Sequence, residues 1–366
     1  MSAPGAQPPV PLPRVLMVGP LPPPVGGMAS VVQNLSQALS GRVELRVINN
    51  VKTTDVDRSL WQGVSAQLRL LGRLARQSMR WRPNVVHIHT CSWLSFWRNG
   101  ADVLLARVLG RHVVLHIHGA QFHRFLSGLS GIQAWLARRV LCAAHRVVVL
   151  SDGWRGVLAG WTDSARIVVV PNGVPVGAPA RPSSAGPFRI LCLANYEVRK
   201  GQEDLLRALA GLEVDRPVRI ELLGFEAEAG RRQRLLDLAT ELGLDVDVPG
   251  PVTGAATDAR LAPAHRFCLP SYDAGPPLSL LGALARGLAL VGGRAGTRPR
   301  GATDGTEGLL FEPGDATRLR EHLTRLILEP DTAAALGAAA RARLVRDFSL
   351  DHSAESLLDV YRSLAR

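Results

Sequence analysis

Cysteine is scarce in this 366-residue chain: Cys91, Cys142, Cys192 and Cys268 are the only four. They stand far apart, with no CxxC pair and no Cys/His ligand spacing. A disulfide framework or a zinc site is not expected, and a reducing cytosol fits. Aromatic residues make up only 5% of the chain. No RNP, helix-turn-helix or KH signature occurs, so nucleic acid is not an expected partner. No apolar run reaches the roughly 18–20 residues of a transmembrane helix. The N-terminus has neither a charged nor an apolar leader region, so no secretory signal is expected. Lysine is almost absent. Of 43 Lys and Arg residues only Lys52 and Lys200 are lysine, an Arg bias that a GC-rich genome would also produce.

The composition is that of an ordinary globular protein, 46% hydrophobic and 20% charged. At roughly 150 residues per domain the length suggests two domains. The net charge of +12 is unevenly placed. Residues 1–182 hold 20 basic and 6 acidic side chains, whereas residues 183–366 hold 23 and 25. The excess therefore lies wholly in the first half. It points to a polyanion or an anionic membrane surface touching that half, or to compositional drift on a solvated face.

Short apolar runs alternate with helical patterns along the chain. Residues 1–13 read as a disordered Pro-rich lead. Strands are predicted at Arg14–Gly19, Val43–Ile48, Val85–His89, His112–His118, Arg146–Leu150 and Ile167–Val170. Helices are predicted between them, among them Met28–Leu39, Gly100–Leu109 and Ile132–Ala144. Val174–Pro187 reads as a linker. The alternation then restarts with Arg189–Leu193 and runs to a last helix at Ser349–Leu364. This predicts an α/β chain of two doubly wound parallel sheets: residues 14–182, then 183–348. Residues 349–366 form a C-terminal helix expected to pack back on the first domain. Ligands in such sheets bind at the carboxyl ends of the strands, which makes the cleft between the domains the expected site.

Four local patterns suggest chemistry. Gly26-Gly27 lies between a strand and a helix, where bare backbone N–H groups approach an anion or simply make a tight turn. His116 and His118 share one face of a strand, and His87 and His89 repeat the pattern. His87 and His116 read as satisfied core histidines, whereas His118, at the strand's carboxyl end and followed by Gly119, reads as functional. Lys200 follows a strand and precedes a helix, where an ammonium reaches a diphosphate. Pro277 suits a helix start, so the amides of Leu278 and Ser279 are candidates to hold a phosphate.

One helix stands out for its charge. In Ser65–Pro83, Leu68, Leu70, Leu71, Leu74 and Met79 are read as an apolar face. Arg69, Arg73, Arg76 and Arg80 fall at spacings of four, three and four and share a stripe. That is the pattern of a helix lying on an anionic bilayer, or of a normal surface helix.

Taken in order, these segments resemble glycosyltransferase family 4, of the GT-B fold, from Arg14 to near the C-terminus. The resemblance rests on Arg14–Val32, HTCSWLSFWR (89–98), VVLHIHGAQF (113–122), VVVPNG (168–173), VRKGQEDLL (198–206), PSYDAGPPLSLLGALARG (270–287) and GLLFEPGD (308–315). It implies two Rossmann-like domains facing a cleft, with a nucleotide-sugar donor in the second and an acceptor bound by the first. The reaction implied is a retaining hexosyl transfer to a lipid-linked or glycan acceptor in polysaccharide assembly. The donor's own phosphate would take the acceptor's proton, with no metal or other cofactor. His118 would act catalytically, and Gly26, Gly27, Arg199, Lys200, Leu278 and Ser279 would hold the donor diphosphate. The family carries two glutamates with seven residues between them, and here those positions are Ala274 and Gly282. Asp273, beside the first, is the candidate contact to the donor sugar, and the family's later Pro-Glu reads Pro299-Arg300. The alternative implied by these departures is an impaired relative that supports a partner transferase. Either way the resemblance and the charge place the chain in the cytoplasm, on the inner face of the plasma membrane.

Overall fold

A computed structural model of the chain describes residues 12–23, 26–51, 60–119, 121–272, 277–294 and 302–365. It divides into two units. One runs to Asn172 and takes up the chain again at Ser353; the other is Gly173–His352.

The first unit contains β1 (Arg14–Gly19), α1 (Gly27–Ala38), β2 (Glu44–Asn49), α2 (Leu60–Arg80), β3 (Val85–Thr90) and α3 (Leu94–Val108). It continues through β4 (His112–Ile117), α4 (Phe122–Ser127), α5 (Gly131–Ala143), β5 (Arg146–Val149), α6 (Gly153–Leu158) and β6 (Ile167–Val169). The six strands form one parallel sheet in the order β2-β1-β3-β4-β5-β6. Strands buried on both faces read as continuous apolar runs, which is how β1 and β5 are written. Alternation sends Leu16, Val86, Ile88, Leu115 and Val147 into one core. The opposite face carries Met17, His87, His89 and His116, all buried.

The second unit holds β7 (Phe188–Leu193), α7 (Gln202–Ala210), β8 (Val218–Leu223), α8 (Arg231–Glu241), β9 (Asp245–Gly250) and α9 (Ala255–Leu261). It continues with β10 (Arg266–Leu269), α10 (Leu278–Ala285), β11 (Ala289–Gly293), β12 (Gly308–Phe311), α11 (Ala316–Leu328) and α12 (Pro330–Asp347). Its strands pair in parallel in the order β12-β11-β10-β7-β8-β9. This is the Rossmann arrangement, in which the order reverses between the first and fourth strands, here β7 and β10. Ile190 and Cys192 enter the core on one face, and Leu191 enters the core on the other. The last helix, α13 (Leu350–Ala365), places Tyr361 against His87 of the first unit.

Two helices begin earlier than the sequence pattern predicts. α2 starts at Leu60 rather than Ser65, and α3 at Leu94 rather than Gly100. In α3 the buried face includes Asn99 and Asp102, so a polarity pattern breaks where the helix does not. The short helices α4, α6 and α9 escaped the pattern because six or seven residues make fewer than two turns, too few to show a period; β12 escaped it as well.

The reading of α2 needs correction. Leu70 and Leu74 are buried, but Leu68 and Met79 are 62% and 59% exposed. At 100° per residue, Leu68 and Leu70 point about 200° apart, so the leucines cannot share one face. Trp61, Val64, Leu68 and Met79 form an exposed apolar ridge, and Arg69, Arg73, Arg76 and Arg80 lie exposed beside it.

Candidate functional site

The switch point of the second sheet collects the candidate donor residues. After β7 the chain makes a single 3₁₀ turn, Val198–Lys200, then enters α7 through Gly201 at φ +68°. A Cβ on Gly201 would lie 2.1 Å from the Pro270 carbonyl oxygen, so only glycine lets this loop meet the loop after β10. The two loops are joined further. The Tyr272 amide donates to the Arg199 carbonyl at 2.9 Å, and the Tyr272 hydroxyl donates to Asp204 Oδ2 at 2.7 Å. Gln202, buried at the start of α7, donates from Nε2 to the Asn195 carbonyl at 2.8 Å. Gly224 and Gly293 show the same crowding, with the Ala194 and Ser271 carbonyls 2.0 and 2.5 Å from where a Cβ would stand.

Two cations sit on this frame. Arg199 is clamped to the buried carboxylate of Glu197 through Nε and through Nη2, the latter at 3.1 Å. Lys200 is half-buried, and its ammonium is held below the usual lysine range, first by burial and then by the neighbouring Arg199 charge. A desolvated cation at a strand's carboxyl end favours an anionic ligand, whose arrival restores what burial removed.

α10 begins at Leu278 with Pro277 as the preceding cap residue, one place earlier than a first-turn proline. The amides of Leu278 and Ser279 have no partner within their own helix, as for every helix start. Leu278, Ser279 and Gly282 are the less buried residues of α10, and among the described residues a Cβ on Gly282 would meet only Leu261 Cδ1, at 3.8 Å. The described residues therefore do not require a glycine there. Asp273, Ala274 and Arg300 lie outside the described residues. A cavity of about 540 Å³ elsewhere in this unit, lined by Phe188, Arg216, His265 and Arg266, opens at the amino ends of the strands. It is at the opposite edge from where such sheets bind ligands.

In the first unit, His118 follows β4 and is half-buried. Its Nε2 lies 2.8 Å from His89 Nδ1. Burial pushes the His118 imidazole down to about 3, so the ring is neutral near pH 7. Gly119 is packed against Ser92, whose Oγ would lie 2.7 Å from a Cβ there. Gly26 is extended at φ −157°, and a Cβ on either Gly26 or Gly27 would meet nothing within 4 Å among the described residues. These two glycines leave open space at the start of α1 rather than relieving strain. The sequence pattern reads His87 and His116 as satisfied core residues. His87 is bonded through both nitrogens, but His116 Nε2 is buried without a hydrogen-bond partner among the described residues.

Comparison with known proteins now decides the family. The model described as Glycosyltransferase Family 4 matches residues 25–177, and the one described as Glycosyl transferases group 1 matches residues 179–343. The chain belongs to glycosyltransferase family 4. Among relatives of this family-4 chain is the MMP alpha-(1->4)-mannosyltransferase of Mycolicibacterium hassiacum, 33% identical over 184 residues. That match covers 49% of this chain and 44% of the relative, so the chain spans less than half its length. Alpha-maltose-1-phosphate synthase of Mycolicibacterium smegmatis is 27% identical over 77% of this chain and 79% of its own. Among solved structures, HepE of Anabaena, in complex with UDP and glucose, superposes with a TM-score of 0.73 at 16% identity. It covers 96% of this chain and 100% of HepE. Sucrose-phosphate synthase of Thermosynechococcus elongatus gives a TM-score of 0.76 at 18% identity, over 96% of this chain and 99% of the synthase. At such identities the likeness establishes the fold, GT-B with two Rossmann-like domains.

Proposed function

We propose that this family-4 chain transfers a hexosyl unit, with retention, from a nucleotide-sugar donor to a lipid-linked or glycan acceptor. The observation that carries this reading is Lys200 beside Arg199 at the switch point of a Rossmann sheet. A diphosphate placed there would meet fixed cations, and α10 would offer amides to the same anion. The relatives support a nucleotide-sugar donor: one is named a mannosyltransferase, and HepE holds UDP and glucose. In a retaining reaction of this kind the protein's work is to hold the leaving diphosphate and stabilise its charge, while the donor phosphate accepts the acceptor's proton. His118 would act catalytically, Gly26 and Gly27 at the open start of α1 would help hold the donor diphosphate, and no metal or other cofactor is needed.

The exposed ridge and arginine stripe of α2 support a peripheral site on an anionic bilayer, the inner face of the plasma membrane. There the acceptor would be presented in the plane of the membrane. A second reading, a non-catalytic relative supporting a partner transferase, is favoured by Gly282, which offers no carboxylate to a ribose. Two measurements separate them. The purified chain, mixed with anionic vesicles and a panel of nucleotide sugars, should transfer or hydrolyse a donor; neither activity with any donor would defeat the enzyme reading. In Ala274→Glu with Gly282→Glu, a large gain in turnover would mark the natural chain as impaired. A loss would mean that the site is built around the small residues.

A further inference from the structure

We propose that His87, His89 and His116 form a three-histidine site for a divalent transition ion of the Zn²⁺ or Co²⁺ class. Alternation along β3 puts His87 and His89 on one face, and parallel pairing sets His116 of β4 beside His89. All three are buried, and one ring nitrogen of each lies within 4.8 Å of the other two. His87 Nε2 and His116 Nδ1 are 3.3 Å apart. A tetrahedral ion with metal–nitrogen bonds of about 2.0–2.1 Å has ligand atoms separated by about 3.3 Å, so this edge is already in place.

The outer nitrogens of His87 and His89 have the partners that ligating imidazoles use. Such a ring donates its second N–H to a fixed neighbour, which sets its tautomer and turns the other lone pair to the ion. His87 Nδ1 lies 2.6 Å from the Tyr361 hydroxyl of α13, and His89 Nδ1 lies 2.8 Å from His118 Nε2. With both N–H groups donated outward, the Nε2 atoms of His87 and His89 are left as acceptors. His89 Nε2 is buried with no hydrogen-bond partner among the described residues. A buried polar nitrogen is rarely left so, and a bound cation satisfies it. Three neutral imidazoles are a sufficient protein share for a four-coordinate ion whose last ligand is a solvent oxygen. The ion would tie β3 to β4 just before their carboxyl ends and hold His118 in place through His89.

The test uses the full chain without a histidine tag, stripped with chelator and then given Zn²⁺ or Co²⁺ alone. We expect one ion per chain by elemental analysis, a higher melting temperature with Zn²⁺, and the intense visible absorption of tetrahedral Co²⁺. His89→Gln should lose all three. Tyr361→Phe, which removes only a hydroxyl, should keep the fold and weaken ion binding about 10–100-fold. The proposal is overturned if Zn²⁺ leaves the wild-type melting temperature unchanged, or if bound Co²⁺ gives only the weak octahedral spectrum of a surface ion. Should His89→Gln not fold, the wild-type spectrum and melting shift decide by themselves.

Discussion

Replacing Lys200 by alanine removes a cation while leaving its platform intact. Gly201, pressed on the Pro270 carbonyl, and the Tyr272-to-Arg199 backbone bond hold the loop without the lysine side chain. A hydrogen bond to a charged group contributes about 1.5–3 kcal/mol. At about 1.4 kcal/mol per factor of ten, a nucleoside diphosphate should bind roughly 10- to 150-fold more weakly to Lys200→Ala. Stability should move little in the unliganded chain, because burial and the Arg199 charge already disfavour the ammonium there. Arg199→Ala should behave differently. It leaves the buried Glu197 carboxylate without its clamp and should lower stability by about 1 kcal/mol, the partly exposed guanidinium being screened. Calorimetric titration with UDP, GDP and ADP at low and high salt, paired with thermal melts, reads both quantities. An affinity for the best nucleotide within twofold of wild type in a folded Lys200→Ala chain would refute the reasoning.

Three further outcomes follow from the same geometry. Gly201→Ala combines a left-handed φ with a backbone collision and should destabilise by more than about 2 kcal/mol, read from the urea midpoint. Asp102 is buried, and burial raises its carboxyl to about 7; Gln67 donates to Oδ1 at 3.2 Å, and Oδ2 has no hydrogen-bond partner among the described residues. The folded state then holds a proton that the unfolded chain releases near pH 4. Stability therefore falls between about pH 4 and 7, and Asp102→Asn should restore about 2–4 kcal/mol above pH 7 and almost nothing at pH 4. A pH series of urea midpoints checks this, and a pH-independent difference would contradict it. Replacing Arg73 and Arg76 of α2 by glutamine should weaken binding to anionic vesicles about 30-fold, at about 1 kcal/mol per arginine, and leave neutral vesicles unaffected; co-sedimentation measures it.

Much of the fold was legible because its signals are local. A buried strand such as Val15–Val18 is a run of apolar residues ended by Gly and Pro, and Gly201 marks the turn into α7 on its own. Elements without a period were not legible: α4 and α6 have six residues each, and α3 carries Asn99 and Asp102 inward. The α2 leucines misled because five apolar positions on one helix serve two faces, one against the core and one exposed. Of the candidate site, Lys200 and His118 could be singled out from their places at strand ends, but not what surrounds them. His87 meets Tyr361 across 274 positions of sequence, and no local pattern encodes that pairing.

The alternation of strand and helix, the break into two halves and the concentration of positive charge in the first were determined by sequence alone. Each depends on neighbours within a few residues, where hydrogen bonding and side-chain period act directly. Tertiary structure decided the order of the strands, and with it which loops meet. Because β7 lies beside β10, the Lys200 turn rests on the Pro270–Tyr272 loop; because β3 lies beside β4, three histidines share one buried face. Strand order is set by how whole apolar faces pack, so it cannot be read from any one segment.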